Sequence, residues 1–292
     1  MTIDLEKIHK EKSIEELLQF SIINIDKPSG PTSFGVDTVI KKELNLTKTS
    51  HFGTLDPMVT GVLPIALSRA CRLMNYFIGK NKTYVGIMRT HLDISITELK
   101  EQIKPFLGEI TQLPPVKSRV KREERKRTIH TFKILEKNGK DILFETEVQA
   151  GTYIRKLIHD LGEKIGGAHM LELRRTQASI FKEKESIKIY ELLKAIEEYK
   201  KGNDKKLKSI LIPGEIIKEV LPIVQIKKEY LQKLHHGFPI INEYLLEDIK
   251  KIKFTEGDKI VAFQNQTFIG VYEIINNRRC FAKPEFILQP IN

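Results

Sequence analysis

Apolar positions recur along this chain at two periods. Leu5, Ile8, Leu17 and Leu18 stand at helix-compatible intervals, and Ser13-Ile14-Glu15-Glu16 fits a capping box, so a short helical leader is predicted. Ser21 to Ile25 reads as a strand entering the turn residues Asp26-Lys27-Pro28-Ser29-Gly30-Pro31. Thr32 or Ser33 can then cap a helix reaching about Asn45. A loop from His51 to Gly61 leads to the apolar run from Val62 to Leu67. Thr83 to Met88 reads as a strand, and Ser95 to Leu107 as a helix with Ile96, Leu99, Ile103, Phe106 and Leu107 on one side. Ile142, Phe144, Thr146 and Val148 alternate at the period of a half-buried strand. Beyond them Thr152 can cap a helix with the stripe Ile154, Leu157, Ile158, Leu161 and Ile165, which Gly166-Gly167 can end. The lysine-rich stretch from Lys200 to Lys206 is predicted to be mobile, and Ile212-Pro213-Gly214 turns the chain. Short β-rich runs follow at Lys259 to Phe263, Thr267 to Ile274 and Cys280 to Ala282, the pattern of a small β-barrel.

The expected class is therefore α+β, a mixed or largely antiparallel sheet with helices, plus a small β-barrel. Its 292 residues suit two domains. The boundaries predicted are a helical leader at 1–20, a main domain at 21–215 and the barrel domain at 216–292. No stretch approaches the roughly 18 to 20 apolar residues that span a bilayer, which sets a membrane protein aside. The first residues run straight into charge without a secretory core, so a cytoplasmic location is expected. The two cysteines, Cys71 and Cys280, form no CxxC pair, and neither a metal site nor a disulfide framework is expected. Net charge is +11, and it is unevenly placed. Residues 117–127 hold seven basic and two acidic groups, whereas 219–292 hold ten and nine. A local basic excess favours a polyanionic partner through counterion release; a solvated charged hairpin is the simpler alternative.

The densest chemistry lies in His51-Phe52-Gly53-Thr54-Leu55-Asp56-Pro57-Met58-Val59-Thr60-Gly61. By itself this is a tight loop holding one carboxylate, and an aspartate there can simply cap its own turn. The segment resembles the catalytic motif of the TruB family of pseudouridine synthases, in particular its archaeal and eukaryotic dyskerin branch. Three further segments match in the same order: Lys27-Pro28-Ser29-Gly30-Pro31-Thr32-Ser33, Gly151-Thr152-Tyr153-Ile154-Arg155, and Gly167-Ala168-His169-Met170-Leu171-Glu172-Leu173-Arg174-Arg175-Thr176. The resemblance runs from about residue 20 over nearly the whole chain.

It implies that Asp56 is the catalytic carboxylate, that Tyr84 stacks on the target base, and that Arg155 pairs with Asp56. It also places Leu173 in the pocket wall, and Lys27 and His51 on the RNA. Lys117, Arg119, Lys121, Arg122 and Arg125 fall in what resembles a substrate-clamping loop. Phe52 departs from the family's usual Ser or Thr, and extra bulk there could alter how flanking RNA is accommodated. The chemistry implied is cleavage of the uridine glycosidic bond and rejoining through C5, which needs no cofactor and no metal. One ionised carboxylate can act as nucleophile or as base. Covering it disfavours its charge, which an adjacent arginine offsets. The base must also leave its stack, and an aromatic returns part of that penalty. Residues 216–292 resemble a PUA domain, a small RNA-binding barrel, through Leu234-His235-His236-Gly237 and Glu256-Gly257-Asp258. The implied setting is an archaeal H/ACA ribonucleoprotein. Its partners would be guide RNA, substrate RNA, a small zinc-ribbon protein, a Gly/Arg-type small β-barrel protein and a kink-turn-binding ribosomal-type protein. A stand-alone tRNA enzyme acting on the T-loop is the nearer alternative, and a non-catalytic RNA-binding scaffold is the one from another class.

Overall fold

The computed structural model describes residues 2–114, 121–246, 254–275 and 280–290. Its helices start where the predicted caps stand. Asp4 accepts the Lys7 amide at 3.0 Å to open α1 (Leu5–Glu11), and reciprocal Ser13–Glu16 bonds of 3.2 and 2.7 Å open α2 (Ile14–Gln19). Thr32 accepts the Gly35 amide at 2.9 Å to open α3 (Ser33–Glu43). After α4 (Met74–Ile78), α5 (Ile96–Ile103) stops short of its apolar stripe. Pro105 has no N–H to continue the ladder, and the chain tightens into a 3-10 turn over Lys104–Phe106. The stripe of α6 (Ile154–Lys164) is buried as predicted, but Tyr153 is its N-cap residue, and the Thr152 hydroxyl donates instead to the Gln149 carbonyl at 2.8 Å. The lysine-rich stretch predicted to be mobile is a closed turn between α7 (Ile189–Lys200) and α8 (Lys205–Ile210). There the amides of Lys201, Gly202 and Asn203 bond back to Glu198 and Tyr199 carbonyls, with Gly202 at a φ of +92°. A last short helix, α9, covers Leu231–His235.

The strands, in chain order, are β1 (Ser21–Lys27), β2 (Thr49–His51), β3 (Thr60–Leu67), β4 (Lys82–Thr90), β5 (Gly108–Gln112), β6 (Arg125–Asn138), β7 (Asp141–Val148), β8 (Ala168–Ala178), β9 (Phe181–Lys182), β10 (Ile187–Lys188) and β11 (Ile212–Pro213). Among the described residues they form one mixed sheet of order β10-β1-β3-β8-β4-β7-β6-β5, with β11 on β1, β2 on β3 and β9 on β8. The β3–β8 and β1–β10 pairings are parallel, the others antiparallel. The adjacent apolar residues Ile22-Ile23 of β1 and Val62 to Leu67 of β3, which do not alternate with polar ones, have a direct cause, because both strands are covered on both faces. Ile23, Ile25, Leu63 and Ile65 enter one core with Ile40, Leu157 and Leu192, while Ile22, Val62 and Ala66 enter a second.

While Ile14, Leu17 and Leu18 of α2 enter the first core, the second also holds the rest of the leader. Ile3, Ile8 and Phe20 pack there with Val261, Phe263, Phe268 and Phe286, and the Phe20 and Phe268 rings stack at 5.2 Å. Lys12 donates to the buried Glu215 carboxylate at 2.6 Å, and the Asp4 amide to Gln266 at 2.7 Å. The leader is thus wedged between the main sheet and the carboxy-terminal region. The latter forms a second sheet of order β12 (Ile223–Gln225), β13 (Lys259–Gln264), β14 (Thr267–Ile274) and β15 (Ala282–Ile287) around its own core of Ile260, Ile269 and Tyr272. Single bridges, Ile226 to Leu245 and Ile240 to Ala282, bring the segment between β12 and β13 against this sheet, in keeping with the small barrel domain expected. The last strand begins at Ala282 rather than Cys280 and runs on through Pro284, which an edge strand tolerates.

Candidate active site

The loop between β2 and β3 is held at nearly every residue. The Phe52 amide donates to the Pro64 carbonyl at 2.9 Å, and Arg175 Nη2 to the Gly53 carbonyl at 2.9 Å. Ser33, at the start of α3, bonds Leu55 twice, accepting its amide at 2.8 Å and donating to its carbonyl at 3.0 Å. The Pro57 carbonyl receives both the Gly30 amide and the Lys27 ammonium at 2.9 Å. Gly53 and Gly61 take φ values of +105° and +100°, which only glycine adopts at little expense. Asp56 sits at the crest of this fixed bend. Its Oδ2 lies 2.6 Å from Nη2 of Arg155 in the first turn of α6, with the two side chains 50 % and 61 % exposed.

Tyr84 lies on β4, opposite Thr146 on β7 and Arg175 on β8, and is 9 % exposed. It shares a core with Leu55, Val59, Ile154 and Leu173, the apolar residues that flank Asp56 and Arg155. Leu173 faces Gly86 across the β4–β8 ladder, where an added Cβ on Gly86 would stand 3.0 Å from its Cδ1. The structure therefore pairs Asp56 with Arg155 at a solvent-exposed crest and places Tyr84 and Leu173 in the core that also holds their chain neighbours Leu55 and Ile154. Among the described residues the pair is left open to solvent.

Two placements differ from the sequence-based expectations. Lys27, expected on RNA, is fully buried, and its ammonium donates to the carbonyls of Pro28, Pro31 and Pro57 at 2.8 to 2.9 Å. Burial lowers its pKa, against the opposing pull of the Asp56 charge. It tethers two loops and has no donor left for a ligand. Phe52 is 2 % exposed and stacks on Phe77 at 5.0 Å, with Phe181 at 5.9 Å, so its bulk is absorbed in the second core. His51 stands at the end of β2, bonded to Asp37 and Thr54. Lys121 and Arg122 are exposed and Arg125 is half-buried at the start of β6; Lys121 and Arg125 share Glu123, at 2.9 and 3.5 Å. Lys117 and Arg119 lie outside the described residues.

Three cations carry roles that their spacing in the sequence does not signal. Arg127 lies on Gly151, where a Cβ would meet its guanidinium at 3.1 Å. Arg175 is 1 % exposed and donates through Nε to the Val62 carbonyl at 2.7 Å as well as to Gly53. Beneath it, Lys82 is buried and donates to the Ile78 and Lys80 carbonyls at 2.5 and 2.6 Å. Burial, reinforced by the Arg175 charge, brings the Lys82 ammonium down from 10.5 to about 8. Between those values the unfolded chain binds a proton that the folded chain does not, so this group adds stability as pH rises from about 8 to 10.5. Lys82→Met removes the effect. Urea unfolding of both proteins across that window should show wild type gaining on the variant with rising pH, by up to about 3 kcal/mol.

A cavity of about 580 Å³ opens beside the loop between β1, α3 and α7, lined by Lys27, Pro31, Val39, Arg174 and Tyr190, and does not include Asp56. Among the described residues His159, Asp160 and Glu163 on α6 could approach a cation, but Asp160 is already bonded to Lys156.

The family model of the N-terminal domain of TruB family pseudouridylate synthases matches residues 41–154, and that of the tRNA pseudouridylate synthase B C-terminal domain matches 155–217. A probable tRNA pseudouridine synthase B of Methanocaldococcus jannaschii is 44 % identical over 229 residues, 78 % of this chain and 68 % of the relative. The protein of the same name from Thermococcus gammatolerans is 41 % identical over 254 residues, 86 % and 75 % of the two chains. Among solved structures, a chain of a Cbf5-Nop10-Gar1 complex superposes with a TM-score of 0.87 at 35 % identity, covering 97 % of this chain and 89 % of that one. A chain of an H/ACA ribonucleoprotein bound to a substrate RNA containing 2′-deoxyuridine gives 0.86 at 33 % identity with the same coverage.

Proposed function

Because the chain belongs to the TruB family of pseudouridine synthases and is thus an RNA isomerase, we propose that it converts guide-selected uridines of rRNA as the catalytic subunit of an H/ACA-type particle, with Asp56 as the catalytic carboxylate. The observation that carries the site is the 2.6 Å pairing of Asp56 with Arg155 at the crest of a loop anchored on both sides. Left open to water, such a pair is worth about 0–1 kcal/mol. Covered by RNA it tightens, because the attraction at about 4 Å grows from roughly 1 kcal/mol in water to roughly 4 at an effective dielectric of 20. Arg155 then keeps the carboxylate anionic as its water is stripped, and orients it toward the ribose of an extruded uridine. Tyr84 and Leu173 receive the base.

Guide dependence rests on the likeness over 97 % of this chain to a subunit of the Cbf5-Nop10-Gar1 complex. The stand-alone reading rests on the sequence relatives, which are named tRNA pseudouridine synthase B. In the proposed particle the partners are guide RNA, a small zinc-ribbon protein, a Gly/Arg-type small β-barrel protein and a kink-turn-binding protein. Residues 216–292 serve as a PUA-type module that holds an RNA end by shape, since their charge is nearly balanced. Residues 21–215 act as the catalytic domain and 1–20 as its leader. The test is pseudouridine mapping after incubation of a free T-stem-loop and of an rRNA target, each with and without guide RNA and partner proteins. Modification of the rRNA target only in the presence of guide is expected; full modification of the free T-stem-loop would favour the stand-alone enzyme.

The basic segment entering β6 contributes to RNA affinity by neutralising phosphates. Replacing the charges of Lys121, Arg122 and Arg125 together is expected to weaken RNA binding and lower the slope of log affinity against log salt by about 2 to 3, near one for each phosphate left without its cation. Binding measured over a salt series checks this, and an unaltered slope would leave those side chains as a solvated surface.

A further inference from the structure

We infer that Asp37, acting through His51, fixes the Thr54 hydroxyl as a hydrogen-bond acceptor at the mouth of the site, and that this acceptor takes a 2′-hydroxyl of the RNA strand beside the target uridine. The inference deepens the proposed function and rests on RNA lying over Asp56.

Asp37 lies on α3 with its side chain 9 % exposed, and its Oδ2 stands 2.5 Å from Nδ1 of His51. A carboxylate only accepts, so Nδ1 carries the hydrogen, and in the neutral imidazole the lone pair is left on Nε2. Nε2 is 3.0 Å from Oγ1 of Thr54. In that neutral form the single hydroxyl hydrogen of Thr54 is spent inward on His51. What this exposed side chain presents outward is the lone pairs of its oxygen, two residues before Asp56. A group that can only accept selects donors, and the donor that every nucleotide of an RNA strand carries, and DNA lacks, is the 2′-hydroxyl.

The rest of the arrangement keeps this order of protons in place. The Thr49 hydroxyl donates to the Asp37 carbonyl at 3.2 Å, tying α3 to the strand that carries His51. The other carboxylate oxygen of Asp37 is buried with no partner, a penalty that an apolar residue packed at this point of α3 would avoid. The acid is retained at that expense, and the bond it makes is to His51. Were His51 an imidazolium, both its nitrogens would donate and the Thr54 hydroxyl would turn its hydrogen outward, reversing the polarity offered to RNA.

Nitrogen-15 histidine spectra of the full chain at mildly alkaline pH should show His51 neutral and protonated on Nδ1, and Asp37→Asn, whose amide can donate or accept, should lose that preference. Substrates with single 2′-deoxy nucleotides around the target should reveal one position that raises KM roughly three- to tenfold, the worth of one neutral hydrogen bond. In Thr54→Val the all-ribose substrate should show the same rise in KM rather than a change in kcat, and that deoxy position should no longer register; Thr54→Ser should restore both. A His51 bare on Nδ1 or charged on both nitrogens, or deoxy penalties identical in wild type and Thr54→Val, overturns the inference. If wild type makes no pseudouridine in any of these RNAs, the proposed function fails instead, and the tautomer spectrum still decides the relay.

Discussion

Asp56→Asn is expected to lower pseudouridine formation on the order of 10³-fold or more while RNA binding and thermal stability stay close to wild type. The amide has the shape of the acid but neither its charge nor its capacity to attack or to take a proton. The bonds that hold the bend come from Gly53, Leu55 and Pro57, and the Asp56 carbonyl still receives the Val59 amide at 3.0 Å. The ion pair removed is half exposed, and such pairs contribute about 0–1 kcal/mol. Single-turnover conversion, RNA affinity and a melting curve on the same preparation separate the outcomes. Unchanged conversion would move the chemistry off Asp56, and lost binding alongside lost conversion would make the carboxylate a positioning group.

The second large effect is expected from a methyl group at Gly61. This residue is the second of β3, at a φ of +100°, where its parallel partner is Arg175 of β8. A Cβ there would stand 2.2 Å from the Arg175 carbonyl oxygen and 3.0 Å from its amide nitrogen, both main-chain atoms that no rotamer change can move. Backbone strain of about 1–3 kcal/mol and overpacking of about 1–3 kcal/mol together predict that Gly61→Ala destabilises the protein by roughly 2 to 6 kcal/mol. The damage is also local to the chemistry. Arg175 spans from this point to the carbonyls of Val62 and Gly53, so parting β3 from β8 releases both ends of the Asp56 loop. Denaturant unfolding reports the loss of stability, and conversion measured well below the melting point reports the loosened loop. A variant as stable and as active as wild type would mean that the β3–β8 pairing carries no such strain.

How much of this is legible in the sequence depends on the range of the interaction. The caps at Ser13 and Thr32, the stripe of α6 and the double-sided burial of β1 and β3 follow from residues within a few positions of one another. The Asp56 bend is equally legible, through its glycines and proline. Strand β6 is not, because its run of basic and polar residues has no clean alternation; it pairs because β7 offers an ordered apolar edge, with Phe132 stacked on Phe144 at 4.9 Å. The neighbours Arg174 and Arg175 look interchangeable in the sequence. On a strand they face opposite ways, Arg174 to Asp26 and Glu183 and Arg175 inward to the loop.

The sequence by itself determined that Asp56 sits in a tight bend bounded by Gly53 and Gly61, because such a turn follows from local backbone preference, while the family resemblance supplied the role expected of it. Only the tertiary structure decided what several basic side chains do. Lys27 was drawn into the interior as a tether, Arg175 was turned inward to the Asp56 loop, and His51 was given to Asp37. Those roles depend on sheet register and on burial, which set the distance between side chains far apart along the chain and leave no trace in their spacing.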